Sequence, residues 1–197
     1  MKIHDISQEV FSSAVYPGDP APVKQTLSSM EEGELYNLTA FSMCAHNGTH
    51  IDAPRHFMAE GKSVEELALD ATVGLAYVAE CEGDISAEDA RKILCKAKNA
   101  LVGAEKRILI KGNATVTAEA AEAFAAEKIL LLGVEGQTVG PENAPMQVHK
   151  ILLGAGTVLL EGVRLGDVSA GACFLSAAPL NLAGADGAPC RAYIIEI

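Results

Sequence analysis

Apolar positions along the chain fall into short runs and alternations more than into long helical stripes. Strand-like patterns occur at Lys2 to Ile6, Leu35 to Cys44, Thr72 to Cys81, Arg107 to Lys111, Ile129 to Val134, Thr157 to Leu160, Ala172 to Ser176 and Ala192 to Ile197. Helices are fewer and are marked by their caps. Ser86 with Asp89 three residues on predicts a helix to about Lys98, and Thr117 opens a second through the Ala-rich stretch ending at Ala126. A third is expected from Asn143 to Leu153, with Asn143 as cap, Pro145 in the first turn where a missing N–H costs nothing, and Gly154 as the stop. Strand and helix alternate in the middle and strands dominate both ends, which predicts an α/β fold with a mixed sheet. No repeat, charge block or low-complexity linker interrupts the chain, so residues 1–197 read as one domain.

Charge narrows the partners. Asp and Glu number 26 against 15 Lys and Arg, a formal net charge of -11, so the surface repels polyanions and neither nucleic acid nor an anionic membrane is an expected partner. The apolar run Ile129 to Val134 is far short of the roughly 20 residues that cross a bilayer. Met1 to Asp5 lacks the basic end and apolar run of a secretory signal, and a cytoplasmic protein is expected. The five cysteines are odd in number, scattered and without CxxC spacing, so buried free thiols are expected in place of a disulfide framework.

The chemistry concentrates in His46-Asn47-Gly48-Thr49-His50-Ile51-Asp52-Ala53-Pro54-Arg55-His56, which holds three of the five histidines. His46, His50, Asp52 and His56 stand at even spacing, so an extended backbone projects them to one side, whereas Gly48 and Pro54 disfavour a helix. Fully straight, the segment would part His46 from His56 by roughly 33 Å at about 3.3 Å per residue, so it must turn, at Gly48 and at Pro54. Imidazole and carboxylate suit zinc or manganese, and a His, His, Asp set with open positions is a catalytic pattern. Downstream, His149 on the third helix and Glu161 just past the strand ending at Leu160 can reach one end of a sheet through the turn at Gly154 and Gly156.

These residues resemble the HxGTHxDxPxH signature of the cyclase family, which includes bacterial kynurenine formamidase and isatin hydrolase. Asp5-Ile6-Ser7, Tyr16-Pro17-Gly18-Asp19-Pro20 and Gly187-Ala188-Pro189-Cys190-Arg191-Ala192 are similar to the family's opening and ending. The resemblance implies a swivelling β/β/α-type fold and a homodimer or homotetramer. It implies that His46, His50 and Asp52 hold one divalent ion, that Asp52 bridges to a second held with His149 and Glu161, and that His56 carries the proton. Where formamidases place a Trp against an aromatic substrate this chain has Tyr16, and the segment Gly133 to Thr138 departs from the family's Asp and Ser turn, with Glu135 and Gln137 as the candidate differences.

The activity expected is hydrolysis of a small amide by a metal-activated water, as in arylformamidase, which converts N-formylkynurenine to kynurenine and formate. Zinc is the first choice of ion and manganese the second, one or two per chain. Tyr16 and Arg55 are candidate contacts for a small-molecule substrate. A hydrolase or lyase acting on a cyclic amide or another small acid is the alternative, and a non-catalytic divalent-metal-binding protein is the rival from another class. His4 is expected to pack or face solvent, and Ser63 with Glu66 reads as a capping box, not a nucleophile.

Overall fold

The computed structural model describes residues 1–197. In chain order the strands are β1 (Ile3–Asp5), β2 (Val23–Ser28), β3 (Leu38–Ser42) and β4 (His50–Asp52), followed by a one-turn helix α1 (Leu69–Thr72), β5 (Val73–Glu80) and β6 (Gly83–Ile85). Then come α2 (Ala87–Ala100), β7 (Arg107–Lys111), β8 (Ala114–Val116), α3 (Ala118–Ala126), β9 (Leu131–Val134), α4 (Met146–Gly154), β10 (Val158–Glu161), β11 (Gly171–Ser176), β12 (Gly187–Pro189) and β13 (Tyr193–Glu196). Nine strands form one mixed sheet in the order β1-β13-β11-β5-β7-β9-β10-β4-β12. Its centre, β5-β7-β9-β10, is parallel and its flanks are antiparallel. The expected α/β fold with a mixed sheet is the one observed.

The period-2 alternation of the central strands explains the layers. Ile108, Ile110, Leu132, Val134 and Leu159 face α2, α3 and α4 in one core, while Leu109, Leu131, Val158 and Leu160 face a second core closed by Ile6, Ile51, Leu175 and Ile194. Two helix caps stand as the sequence predicts. Ser86 forms a capping box with Asp89, and the Thr117 hydroxyl accepts from the Ala120 N–H. The third helix differs: it begins at Met146 with Pro145 as its cap, and Asn143 lies outside it. Proline pushes its preceding residue, Ala144, out of the helical region, so the helix starts only after it. Cys173 is buried, and burial pushes its thiol up to about 12. Of the other four, also expected to be buried, Cys44, Cys81 and Cys190 are half-buried and Cys95 is exposed on α2.

One element stands apart from both cores. Strands β2 and β3 pair only with each other. Val23, Leu27, Leu35, Tyr36, Leu38 and Phe41 are all exposed, Leu35 at 91%. A lone two-stranded hairpin is marginal in water. No helix of the structure is long and apolar enough to cross a membrane.

Candidate metal centre

The three residues of β4 are clamped on both sides, by β10 with Glu161 opposite His50 and by β12 with Gly187 opposite Asp52. Ile51 is buried in the second core, so His50 and Asp52 point to the opposite face, where α4 brings His149. The flanking turns fall where the sequence requires them. Gly48 adopts φ 65°, and a Cβ there would come within 2.9 Å of Ser13 Cβ. The next residue fixes the loop, the Thr49 hydroxyl donating to Gly162 O (2.8 Å) and accepting from Gln8 N (2.9 Å). Pro54 opens a single 3-10 turn, Pro54–His56, that brings His56 back over the site.

The five candidate ligands converge. His46 Nδ1 lies 2.8 Å from Asp52 Oδ1, and His50 Nε2 is 3.3 Å from the same oxygen and 3.5 Å from Glu161 Oε2. His149 Nε2 is 3.2 Å from Glu161 Oε1 and 3.6 Å from Asp52 Oδ2. Two ligand groups result, His46/His50/Asp52 and Asp52/His149/Glu161, each with donor atoms within 4.8 Å of one another, and Asp52 belongs to both. The ring orientations are set from behind. His50 Nδ1 donates to Gly48 O (3.0 Å) and His149 Nδ1 to Pro145 O (2.9 Å), which leaves each Nε2 facing the cluster.

The electrostatics are those of a site built for a cation. His50 Nε2 and Asp52 Oδ2 are buried with no hydrogen-bond partner, an expensive arrangement for a protein interior unless something else satisfies them. A divalent ion with imidazole and carboxylate ligands fits those two atoms and the whole donor set. Burial pulls His50 down, yet Asp52 and Glu161 outweigh it and raise the imidazole to about 10. Burial likewise opposes the rises at His46, where Asp52 wins, and at His149, where Glu161 wins. At Asp52 burial pushes up, and the hydrogen bond from His46 with the His50 imidazole 3.3 Å away overcomes it to hold the carboxyl well below its usual range.

His56 stands at the mouth, half-buried, its ring stacked on His46 with centroids 4.0 Å apart. Phe57 covers the deeper His149 ring at 4.7 Å. One residue here escapes the sequence reading. Asp186 Oδ2 accepts from His46 Nε2 at 3.0 Å and from His56 Nδ1 at 3.1 Å. The only available signal was its place immediately before the Gly187 to Ala192 segment.

The remaining candidates lie outside the ligand cluster. Tyr16 is half-buried with its hydroxyl donating to Glu142 O (3.3 Å). Arg55 is exposed on the turn between Pro54 and His56. Glu135 is a loop staple, accepting from Gly112 N (2.7 Å) and Leu165 N (2.8 Å). The Gln137 amide backs the motif loop, its nitrogen set toward Gly48 O (3.3 Å) and its oxygen toward Gln8 Nε2 (2.8 Å). His4 pairs with Glu196 at 2.6 Å, and Ser63 and Glu66 form the expected capping box. A cavity of ≈ 930 Å³ lies against the hairpin, lined by Phe11, Phe41 and Leu180; it meets the motif at Asn47 to Thr49 and contains none of the five ligands.

Residues 4–141 match the Cyclase family model, described as "Putative cyclase". The chain is 30% identical over 207 residues to a kynurenine formamidase of Erythrobacter litoralis, covering 100% of this chain and 94% of that protein. Among solved structures, a predicted metal-dependent hydrolase from Bacillus stearothermophilus superposes with a TM-score of 0.80 at 27% identity, covering 98% of this chain and 97% of the other. Isatin hydrolase A from Labrenzia aggregata shares the fold, with a TM-score of 0.81 at 21% identity over 99% of this chain and 93% of the other.

Proposed function

This chain belongs to the cyclase family of metal-dependent hydrolases, and from that premise we propose that it hydrolyses a small aryl formamide, with N-formylkynurenine as the substrate to try first. The observation that carries the proposal is Asp52, fully buried, shared by two ligand groups and left with an unpartnered Oδ2 beside an unpartnered His50 Nε2. In the proposed assignment His46, His50 and Asp52 hold one divalent cation, and Asp52, His149 and Glu161 hold a second. Zinc is the expected ion and manganese the second choice. Such an ion, when bound, polarises a carbonyl and lowers the pKa of water from 15.7 towards about 7.

The chain's own groups do the rest. With Nδ1 engaged by Asp186, His56 has Nε2 free to take a proton and return it to the leaving nitrogen, a role typically worth about 10² to 10⁴ in rate. Phe57 shields the His149 side from bulk water. Arg55, exposed beside His56, is proposed as the contact for an anionic substrate group and Tyr16 as the contact for an aromatic one. A cyclic amide or another small acid is the second reading, favoured by the absence of any Trp in the chain.

The proposal extends to setting and assembly. Residues 1–197 act as one hydrolase domain. Five unpaired cysteines support a cytoplasmic setting. The exposed apolar hairpin β2–β3, together with the cavity beside it, supports a homodimer or a higher homo-oligomer. Formate release from N-formylkynurenine by the metal-loaded protein is the test. Turnover no faster than free metal ions alone removes the formamidase reading.

A further inference from the structure

Asp186 arrives at the site from the far end of the chain. Strand β12 pairs with β4, and the Asp186 carbonyl accepts from the Ala53 N–H at 2.9 Å, which seats the residue just beyond Asp52. Its neighbour Gly187 is shaped to His46, since a Cβ at Gly187 would meet His46 Cε1 at 2.6 Å and Ile51 O at 2.7 Å. The His46 ring therefore lies close against the backbone that carries Asp186. It is held at both nitrogens, Nδ1 toward Asp52 and Nε2 toward Asp186. The same Asp186 oxygen holds His56 Nδ1, and the two imidazoles it grips are stacked.

We propose that Asp186 is a positioning residue that binds His46 and His56 into one unit, orienting a metal ligand and the proton carrier through a single carboxylate oxygen. The proposal rests on the assignment of His46 as a ligand and His56 as the proton carrier. A carboxylate behind a metal-bound imidazole fixes its tautomer and orientation, and loss of such a partner typically lowers metal affinity or activity by about 10- to 100-fold. The second grip is what distinguishes Asp186: with His56 Nδ1–H committed to it, Nε2 is presented to the substrate side. Because Asp186 is half-exposed, its replacement leaves no buried charge unpaired, and the variants are expected to fold.

The test uses the full-length chain as Asp186→Ala, Asp186→Asn and His56→Ala, singly and with Asp186→Ala combined with His56→Ala. Zinc affinity is measured by competition with a chromophoric chelator, and kcat and KM for N-formylkynurenine are measured at saturating zinc. Asp186→Ala is expected to weaken zinc binding by about 10- to 100-fold. Asp186→Asn, which keeps one acceptor oxygen, should weaken it less. At saturating zinc, kcat should fall about 10-fold or more with KM within about 2-fold, since transition-state and not ground-state contacts are lost. In the His56→Ala background Asp186→Ala should cost no further kcat while still weakening zinc. Wild-type zinc affinity in Asp186→Ala, or kcat losses that add with His56→Ala, each overturn the proposal. A wild-type protein that binds zinc yet cleaves no formamide removes the formamidase reading, while the affinity series still decides whether Asp186 orients His46.

Discussion

Glu161 sits directly across the β4–β10 ladder from His50, with Oε2 3.5 Å from His50 Nε2, while its other oxygen accepts from the Val139 N–H at 2.8 Å. Strand register thus makes a candidate ligand pair from residues more than a hundred positions apart, because cross-strand partners share a face. The second role of Glu161 separates two substitutions. Glu161→Gln retains an acceptor for Val139, whereas Glu161→Ala leaves that buried N–H unpaired.

Both Glu161 variants should lose the ion proposed for Asp52, His149 and Glu161, read as metal content by elemental analysis, and should cut hydrolysis by about 10²-fold or more. Glu161→Ala should also be less stable than Glu161→Gln by about 1 to 3 kcal/mol in chelator-treated protein, the cost of an unsatisfied buried donor. Equal stability of the two would show that the Val139 contact contributes nothing.

Gly187→Ala should displace the His46 ring, since the added Cβ would stand 2.6 Å from His46 Cε1 with the Ile51 carbonyl behind it. Overpacking of this kind costs typically about 1 to 3 kcal/mol. Thermal unfolding and a zinc competition titration should both register the change. Unaltered affinity would mean that His46 is not a ligand or that the backbone yields.

Stability of the metal-free protein should depend on pH in a defined direction. His50 is raised from 6.5 to about 10, so its contribution is complete below pH 6.5 and is lost as pH climbs through about 10. Asp52 is lowered, so its contribution is present above 3.8 and lost on acidification. The melting temperature in chelator should peak between these limits and fall steadily from pH 6.5 towards 10, each kcal/mol being worth about 2 to 4 °C at this size. Zinc must displace the same imidazole protons, so the increment it adds to the melting temperature should grow over that range. A flat profile without metal would contradict the charge pairing.

Phe41→Lys places a charge on the exposed hairpin, where Phe41 also packs edge-on against Phe11 at 6.3 Å. If the hairpin forms the proposed homo-oligomer interface, light scattering should show the wild-type chain above one chain's mass and the variant reduced to it. A wild-type monomer, or a variant that keeps the wild-type mass, would remove the hairpin as the interface.

Much of the site was legible because its ligands cluster. His46, His50, Asp52 and His56 fall in one short segment whose Gly48 and Pro54 turns follow from backbone limits alone. The strand Arg107 to Lys111 was read with its true ends because both of its faces are buried and the apolar run is continuous. Strand β2 was invisible for the opposite reason, since Val23 to Ser28 buries no face and shows no inward pattern. Strand β12 is three residues long, defined only by its pairing with β4. Asp186 could not be found by pattern, being a lone carboxylate in a Gly- and Ala-rich stretch whose partners are 130 and 140 residues away.

The most direct test of metal-dependent amide hydrolysis is the rate of formate release from N-formylkynurenine by chelator-stripped protein as zinc or manganese is returned. Stripped protein should be inactive and should recover its rate as one to two ions per chain rebind. A stripped protein, verified as metal-free, that hydrolyses the amide as fast as the untreated one would contradict it.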